Sequence, residues 1–467
     1  MIDALRLTAA WALVWLFGIA LVGMTMATSH ARPRLRADAA WIVGCGFFVG
    51  AFGVTLWMRA LSLVDLRFSL LAVALPLALA TLAMGAYLRR GIRRHTPGAS
   101  PGESAAMTRV ERALWAALGA WLALRFVLLL LEVIWTPLYP WDAWIQWATK
   151  ARVWYALGHL VPFGRSEAWF AANGAMWFDA SPNYPATVPL WQVWSSLALG
   201  RWDDALMNLP WWLTGVALAL AIYGALRGAG VGPPGAMIGA WLASSLPLAN
   251  VHVALAGYAD LPMAVYYALA AIAAWRWTRS RAIGDAVLAA TLAIACVTIK
   301  TPGVVWALTL VPGVVLAVMP RSGPRIVLIG IALALFALLV LAQTHPVVLG
   351  YRLHLDFAPA WMALLDSFFL LGNWHLLWYA VIAAAIVQWR ELRDPDVVAL
   401  SATLGAGLLF LAVVFAFTNA RDWVAEQTTI NRAALHLAPL AAFWMTLIVA
   451  RGLRRAPSGA PIAECAS

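Results

Sequence analysis

Apolar stretches recur along almost the whole chain, and each is about 18 or more residues long, enough to cross a bilayer as a helix. Of the 467 residues, 63% are hydrophobic and only 11% are charged. Soluble domains carry about a quarter charged residues. So many apolar helices would not be stable in water, so the pattern predicts an all-α integral membrane protein.

The formal net charge of +11 comes mostly from arginine. Cytoplasmic loops of membrane proteins collect Lys and Arg, so we interpret this excess as a topology signal rather than as nucleic-acid binding. Cys45, Cys296 and Cys465 are widely separated, and two of them lie in apolar runs. Their spacing favours neither a disulfide framework nor a metal cage.

The most basic loop, Arg89 to Arg112, is rich in Pro, Gly and Ser and is expected on the cytoplasmic side. Three helices precede it, which places the N-terminus outside; the later spans given below place the C-terminus inside. The helix after it leads to a long external loop, 136–203. We therefore expect a three-helix membrane segment with the basic loop at 1–110, a transmembrane domain at 111–455 and a cytoplasmic tail at 456–467.

The segment Thr187 to Gly200 is apolar but too short for a span. If it crossed the membrane, every later arginine cluster would lie outside, against the usual bias. We therefore expect a juxtamembrane helix that lies along the outer face or dips into it. About thirteen spans follow from this choice. They are expected at about 8–28, 38–58, 66–88, 112–135, 204–226, 233–251, 261–277, 283–299, 302–319, 326–343, 366–388, 397–417 and 433–450.

The stretch YPWDAWIQWATKARVWY, residues 139–155, combines tryptophans with charged side chains. Helical spacing places Asp142, Gln146 and Lys150 in one stripe. Tryptophans occupy the opposite side, which suits the boundary of a membrane. The alternative is a plain interfacial anchor in which Asp142 pairs with Lys150 or with Arg152.

Further polar residues are expected on the same outer face. Asp260, in GYADLP, lies where a helix begins; it either caps that helix or serves a site. Lys300, in IKTPG, lies at a helix end, where a cation also compensates the helix dipole. Arg432 and His436 share a helix face and could bind a phosphate, or could extend toward lipid headgroups.

Other polar residues have weaker interpretations. Asp179 and Tyr184 belong to the loop FDASPNYPATVP, in which Asn183 is typical of a turn. Asn373 and His375 fall inside a predicted span, where we expect them to satisfy each other or a neighbouring helix. The chain contains no HExxH, P-loop or GxSxG motif.

In this order the motifs resemble the GT-C superfamily of membrane glycosyltransferases, which includes protein mannosyltransferases and the lipid A aminoarabinose transferase. The resemblance spans roughly Leu124 to Pro439. It rests on the short motifs WDAWIQWATKA, NYPATVPLW, GYADLP, IKTPG and NRAALHLAP.

The resemblance implies an inverting transferase that takes a sugar from a polyprenyl-phosphate donor at the periplasmic face of a bacterial inner membrane. The acceptor would be a glycan, a lipid or lipopolysaccharide, and membrane lipids but no nucleic acid would be partners. The expected roles are Asp142 as general base, Asp260 as second acid, Lys150, Lys300, Arg432 and His436 as ligands of the donor phosphate, and Asp179, Tyr184 and Tyr258 on the acceptor side of the loop.

Two features depart from the family pattern. Three extra helices precede the usual first span, and the first loop has one acid where protein mannosyltransferases have an adjacent pair. The single acid argues against a protein mannosyltransferase, and no cofactor is expected, although a divalent metal stays open. Two alternatives also stay open: a scaffold without catalysis, and a flippase for lipid-linked sugars, which Arg125 and Glu132 in the fourth span favour.

Overall fold

The fold is built almost entirely from helices, as the sequence predicts. A computed structural model describes residues 2–29, 38–93, 107–344, 346–348, 351–354, 356–357, 359–424, 426–427 and 429–455. Several features of the sequence lie outside these residues. They are Arg32, Arg34 and Arg36, which the expected topology places on the cytoplasmic side, Cys465, most of the basic loop before Arg109 and the tail 456–467.

The α-helices are numbered in chain order. They are α1 Ile2–Ser29, α2 Ala39–Leu63, α3 Leu70–Arg93, α4 Arg109–Trp135, α5 Thr149–Leu157, α6 Ser166–Ala171, α7 Thr187–Leu199, α8 Leu209–Gly228, α9 Pro233–Ser244, α10 Pro247–Ala254, α11 Asp260–Ser280, α12 Ile283–Ile299, α13 Gly303–Leu308, α14 Leu310–Val318, α15 Gly323–Ala342, α16 Trp361–Leu365, α17 Leu377–Val387, α18 Pro395–Phe417, α19 Thr429–Leu435 and α20 Ala438–Arg455.

Short irregular elements complete the described chain. Two π-helical turns cover Ala143–Ala148 and Asp366–Leu370, and 3₁₀ turns cover Leu206–Asn208, Glu391–Arg393 and Asn419–Trp423. Phe163–Gly164 pairs in parallel with Trp177–Phe178, and Val347–Val348 pairs antiparallel with Tyr351–Arg352.

Seven helices of the described chain are long and apolar enough to cross a membrane, and two bent helix pairs raise that number to nine. A multi-pass membrane protein is therefore supported, whereas the count of thirteen spans is not confirmed. The seven are Ile2–Ala27, Ala39–Leu63, Leu70–Arg90, Arg109–Trp135, Leu206–Gly228, Gly323–Ala342 and Pro395–Phe417.

Four predicted spans are not among these nine. Two of them are continuous helices: α12 has only 17 residues, and α11 is long enough but does not meet the composition of a membrane span. The other two are divided by breaks in the backbone. The run predicted at 302–319 is divided at Thr309 into α13 and α14. The run predicted at 366–388 is interrupted before α17 by turns that contain Asn373 and His375. Asn373 there donates to Asn431 Oδ1, and His375 contacts the carbonyl of Ser245. Each of the two residues therefore has a partner on another element, and they do not bond to each other.

Helix α7 has 13 residues, too few for a span, as the sequence predicts. Its surroundings are protein on nearly all sides, since every residue except Leu197 is buried. Trp191 Nε1 donates to the carbonyl of Ala51 in α2, and Trp11 Nε1 of α1 donates to Ser195 Oγ. The helix is therefore inserted among the N-terminal helices.

The N-terminal helices pack closely against each other and against α8. A Cβ atom at Gly18 of α1 would clash with the carbonyl of Gly46 in α2, and one at Gly44 would clash with Ala221 in α8. Small residues permit such close approach between apolar helices. The boundary expected near residue 110 stays a prediction, but α1–α3 share one hydrophobic core with the rest of the bundle.

Helix α11 lies at the centre of the bundle, because its residues from Asp260 to Trp275 are all buried. A helix that is buried on every side is surrounded by other helices. Arg276 lies about 24 Å further along the axis than Asp260. Near that far end, Arg279 and Arg451 both pair with Asp396. Arg276, Arg279 and Arg451 thus lie near one end of α11, and Asp260 lies at the other.

Candidate functional site

Asp260, the first residue of α11, has a completely buried side chain. A buried carboxylate is costly unless it is paired. Lys300 Nζ lies 2.5 Å from its Oδ1, and Arg432 Nε and Nη2 lie 2.9 and 2.8 Å from its Oδ2. His436 Nε2 approaches Oδ1 to 3.3 Å without the alignment of a hydrogen bond. Asp260 therefore gathers all three basic side chains.

Arg432 extends this group to a second carboxylate. Its Nη1 lies 2.5 Å from Asp142 Oδ2, and its guanidinium lies over the ring of Tyr258, 4.6 Å from the centroid. The side chains of Arg432 and Asp142 are 26% and 23% exposed, whereas that of Asp260 is 0% exposed. We call Asp142, Asp260, Lys300, Arg432 and His436 the charged cluster; it has a buried centre and an edge open to solvent or ligand.

The charged cluster forms where several helix ends meet. Lys300 terminates α12, and the turn through Pro302 starts α13. Arg432 lies in α19, which meets α20 at a bend of 45°, and His436 lies in that bend. Asp142 immediately precedes the π-helical turn of the first loop. Helix ends leave polar backbone groups free, and this is where irregular, polar structure is tolerated in an apolar bundle.

The contacts decide between the alternatives for these residues. Asp260 makes no side-chain cap on α11, because Ala259 occupies the N-cap position. Lys300 binds the Asp260 carboxylate in addition to any effect on the dipole of α12. Arg432 and His436 do not extend toward the surrounding membrane but converge on Asp260. The two carboxylates balance the two permanent cations, so with His436 neutral the charged cluster has no net charge.

The predicted stripe Asp142–Gln146–Lys150 is correct for Asp142 and Gln146 and wrong for Lys150. Gln146 Nε2 lies 3.5 Å from Asp142 Oδ1, at the limit of a hydrogen bond. The intervening turn is π-helical, and the Thr149 N–H donates to the carbonyl of Trp144, five residues back. Such a turn holds one more residue than an α-helical turn. The later residues are therefore rotated, and Lys150 leaves the face of Asp142.

The aromatic side of the same segment is also different from the prediction. Trp147 and Trp154 are 1% and 5% exposed, so they face protein rather than a membrane boundary. Tyr184 stacks on Trp147, with ring centroids 5.0 Å apart, and Trp154 Nε1 donates to the carbonyl of Val161. Trp144, at 43% exposed, stays near the surface. The first large loop thus folds over its own tryptophans.

Lys150 pairs with Asp179 rather than with Asp142. Its Nζ lies 3.0 Å from Asp179 Oδ1 and also donates to the carbonyls of Gln146 and Ser181. These three partners use the three protons of the ammonium group. Burial lowers the pKa of Lys150 and raises the pKa of Asp179. The pair ties α5 to the loop before α7 and leaves no proton of Lys150 for a further ligand.

Replacing Lys150 by methionine is expected to lower the free energy of unfolding by about 3–5 kcal/mol, because it leaves Asp179 charged and buried. Denaturant or thermal unfolding in detergent measures the loss. The double variant Lys150→Met/Asp179→Asn should recover part of it. Asp3→Asn, which breaks an exposed ion pair with Arg201, is the control and should cost less than about 1 kcal/mol. Equal effects of Lys150→Met and Asp3→Asn would contradict the buried-pair interpretation.

The three residues predicted on the acceptor side, Asp179, Tyr184 and Tyr258, differ in their contacts. Tyr184 borders the charged cluster, and burial raises the pKa of its phenol to about 12. The phenol is therefore protonated at neutral pH and does not act as a base. Tyr258 lies under Arg432, as described above. Asp179 supports the loop through Lys150 and through the backbone N–H of Ser181.

A cleft beside the same loop was not predicted. Its cavity volume is about 340 Å³, and Trp144, Arg152, Trp202 and Asp204 contribute to its walls. The guanidinium of Arg152 lies 5.9 Å from the ring of Trp202, and Trp202 Nε1 donates to Asp204 Oδ1. Aromatic walls with a few polar groups are common in ligand sites. The residues come from both ends of the loop, so sequence spacing offers no signal for them.

Within the described parts of the chain, no group of three or more His, Cys, Asp and Glu side chains is placed to hold a metal ion. The carboxylates of the charged cluster bind Lys300 and Arg432 instead. Comparisons of the chain with known protein families, with curated proteins and with solved structures find no match.

Proposed function

We propose that the protein is an inverting glycosyltransferase that uses a polyprenyl-phosphate sugar and works at the periplasmic face of a bacterial inner membrane. The acceptor is a glycan, a lipid or lipopolysaccharide. One observation carries this proposal: Asp142 and Asp260 converge with Lys300 and Arg432 at one end of an apolar helical bundle. An acid that can accept a proton then lies beside cations that can hold a phosphate.

In the proposed reaction, the acceptor hydroxyl gives its proton to Asp142, and its oxygen bonds to the anomeric carbon from the face opposite the phosphate. The bond between that carbon and the phosphate oxygen breaks, and the polyprenyl phosphate leaves with the electron pair. Lys300 and Arg432 stabilise the charge that develops on the leaving phosphate. Attack from the opposite face inverts the anomeric centre.

Asp142 is the better candidate base because it is partly exposed, whereas Asp260 is buried and already has a cation on each oxygen. Asp260 is instead a positioning residue that holds Lys300 and Arg432 in place. Before donor arrives, Arg432 also holds Asp142. A donor phosphate would compete for that guanidinium and release the carboxylate to act as base.

The membrane itself supplies the donor in this proposal. The chain has no P-loop motif. A polyprenyl chain partitions into the bilayer, so its phosphate would reach the site at the end of the bundle without a soluble donor domain.

The runner-up function is a flippase for lipid-linked sugars. A flippase needs a polar path through the bundle. Glu132 of α4 is exposed on the outside of the bundle and accepts from Thr136 of its own helix end, and Arg125 is half-buried on the same helix. Neither residue supports an interior path, which favours the transferase.

The test is a reaction in proteoliposomes that contain the purified protein and a polyprenyl-phosphate sugar labelled in the sugar. With an envelope extract as the source of acceptor, we expect label in the acceptor and an equal amount of free polyprenyl phosphate. A flippase would make the intact donor accessible on the other side of the vesicle without cleaving it. Transbilayer movement with no cleavage would overturn the transferase proposal.

A further inference from the structure

Arg59 is a basic residue near the C-terminal end of α2, outside the part of the chain that carries the family resemblance. Its side chain is half-buried, and its Nη2 donates to Thr187 Oγ1 at 2.9 Å. Its Nε is buried without a hydrogen-bond partner among the described residues. No carboxylate of the described chain forms an ion pair with it, and no nearby charge offsets its loss of water.

Two chain segments connect Arg59 to the charged cluster. Thr187 Oγ1, which accepts from Arg59, also donates to Thr298 Oγ1 at 3.0 Å, and Thr298 lies two residues before Lys300. On the other side, Tyr184 lies three residues before Thr187 and borders Asp142, Asp260 and Arg432 closely enough to feel their charges. Arg59 therefore lies at the margin of the proposed donor site, not on a separate surface.

The net charge of the charged cluster indicates why a further cation such as Arg59 is needed nearby. Asp142 and Asp260 neutralise Lys300 and Arg432, so a phosphate that approaches the charged cluster meets no net positive charge. A partly buried cation without a carboxylate is costly and is stabilised by an anion. Arg59 supplies the surplus positive charge that an anionic ligand requires.

We propose that Arg59 binds the phosphate of the lipid-linked donor, so that the N-terminal helices complete the donor site. This inference rests on the proposed function. The ligand chemistry is a phosphate ester carried by a lipid. Such an ester comes either from a polyprenyl phosphate or from an ordinary phospholipid headgroup, and we assign Arg59 to the former.

The experiment measures binding of polyprenyl phosphate to the full-length protein in detergent, by native mass spectrometry or by thermal shift. Arg59→Gln keeps a donor for Thr187 and removes an unpaired charge, so it should fold with undiminished stability. It should raise the Kd for polyprenyl phosphate about tenfold, which corresponds to about 1.4 kcal/mol. Arg59→Lys, which keeps the charge, should stay within about threefold of wild type.

Arg201→Gln is the matched control, because Arg201 is exposed and already paired with Asp3 and Asp203. It should leave the Kd unchanged. A parallel titration with phosphatidylglycerol separates the two sources of phosphate. If Arg59→Gln weakens phosphatidylglycerol alone, or weakens neither lipid, the assignment of Arg59 is overturned while the transferase proposal stands. If wild type binds no polyprenyl phosphate, the proposed function fails first.

Discussion

Asp142→Asn is expected to lower the rate of sugar transfer about 10²- to 10⁴-fold, the usual contribution of a general base. Asparagine has nearly the same shape and can still accept from Arg432, so the fold and the donor site should persist. Loss of the negative charge also frees Arg432 for the phosphate. The Kd for the donor should therefore stay equal to that of wild type or fall.

The measurement combines a transfer assay in proteoliposomes with a donor-binding titration on the same preparations. Asp3→Asn is the control, because Asp3 is an exposed acid that pairs only with Arg201 among the described residues. It should transfer sugar at the wild-type rate. An Asp142→Asn protein that keeps more than about a tenth of the wild-type rate would contradict the role of Asp142 as base.

Asp260→Asn is expected to lower the stability of the protein strongly. Asp260 is fully buried, and Lys300 and Arg432 are only 14% and 26% exposed. Removing its charge leaves two cations gathered without their shared carboxylate, at a cost of about 3–5 kcal/mol. Transfer should also be lost, because Lys300 and Arg432 would no longer be held at the donor phosphate.

A double-mutant cycle separates this pairing from a general effect of mutation in the core. Lys300→Met alone should also destabilise, whereas Asp260→Asn/Lys300→Met should lose less than the sum of the single losses. Unfolding in denaturant, at constant detergent concentration, measures all four proteins. Strictly additive losses would show that the pair is not coupled.

The helical membrane fold could be predicted from the sequence because the length of the apolar runs is a strong signal. The number of spans could not. A run of apolar residues does not reveal a break such as Thr309 between α13 and α14, or the turns around His375. These breaks depend on tertiary packing: Asn373 bonds to Asn431, and the carbonyl of Asn373 accepts from Leu248.

Most residues of the charged cluster could be predicted from the sequence. The expected topology places Asp142, Asp260, Lys300 and Arg432 on the same side of the membrane, so the sequence suggests that they lie close together. Lys150 was misplaced for a local reason. The helical spacing assumed 3.6 residues per turn, and the π-helical turn Ala143–Ala148 breaks that periodicity. Arg59 gave no sequence signal, because the contact with Thr187 joins residues far apart in the chain.

The central proposal is that the charged cluster holds the phosphate of a polyprenyl-linked donor. Native mass spectrometry of the protein purified with its membrane lipids tests it most directly. We expect a bound polyprenyl phosphate on wild type and on Asp142→Asn, and a marked loss of it on Lys300→Gln. A wild-type protein that retains phospholipids but no polyprenyl phosphate would contradict the proposed donor site.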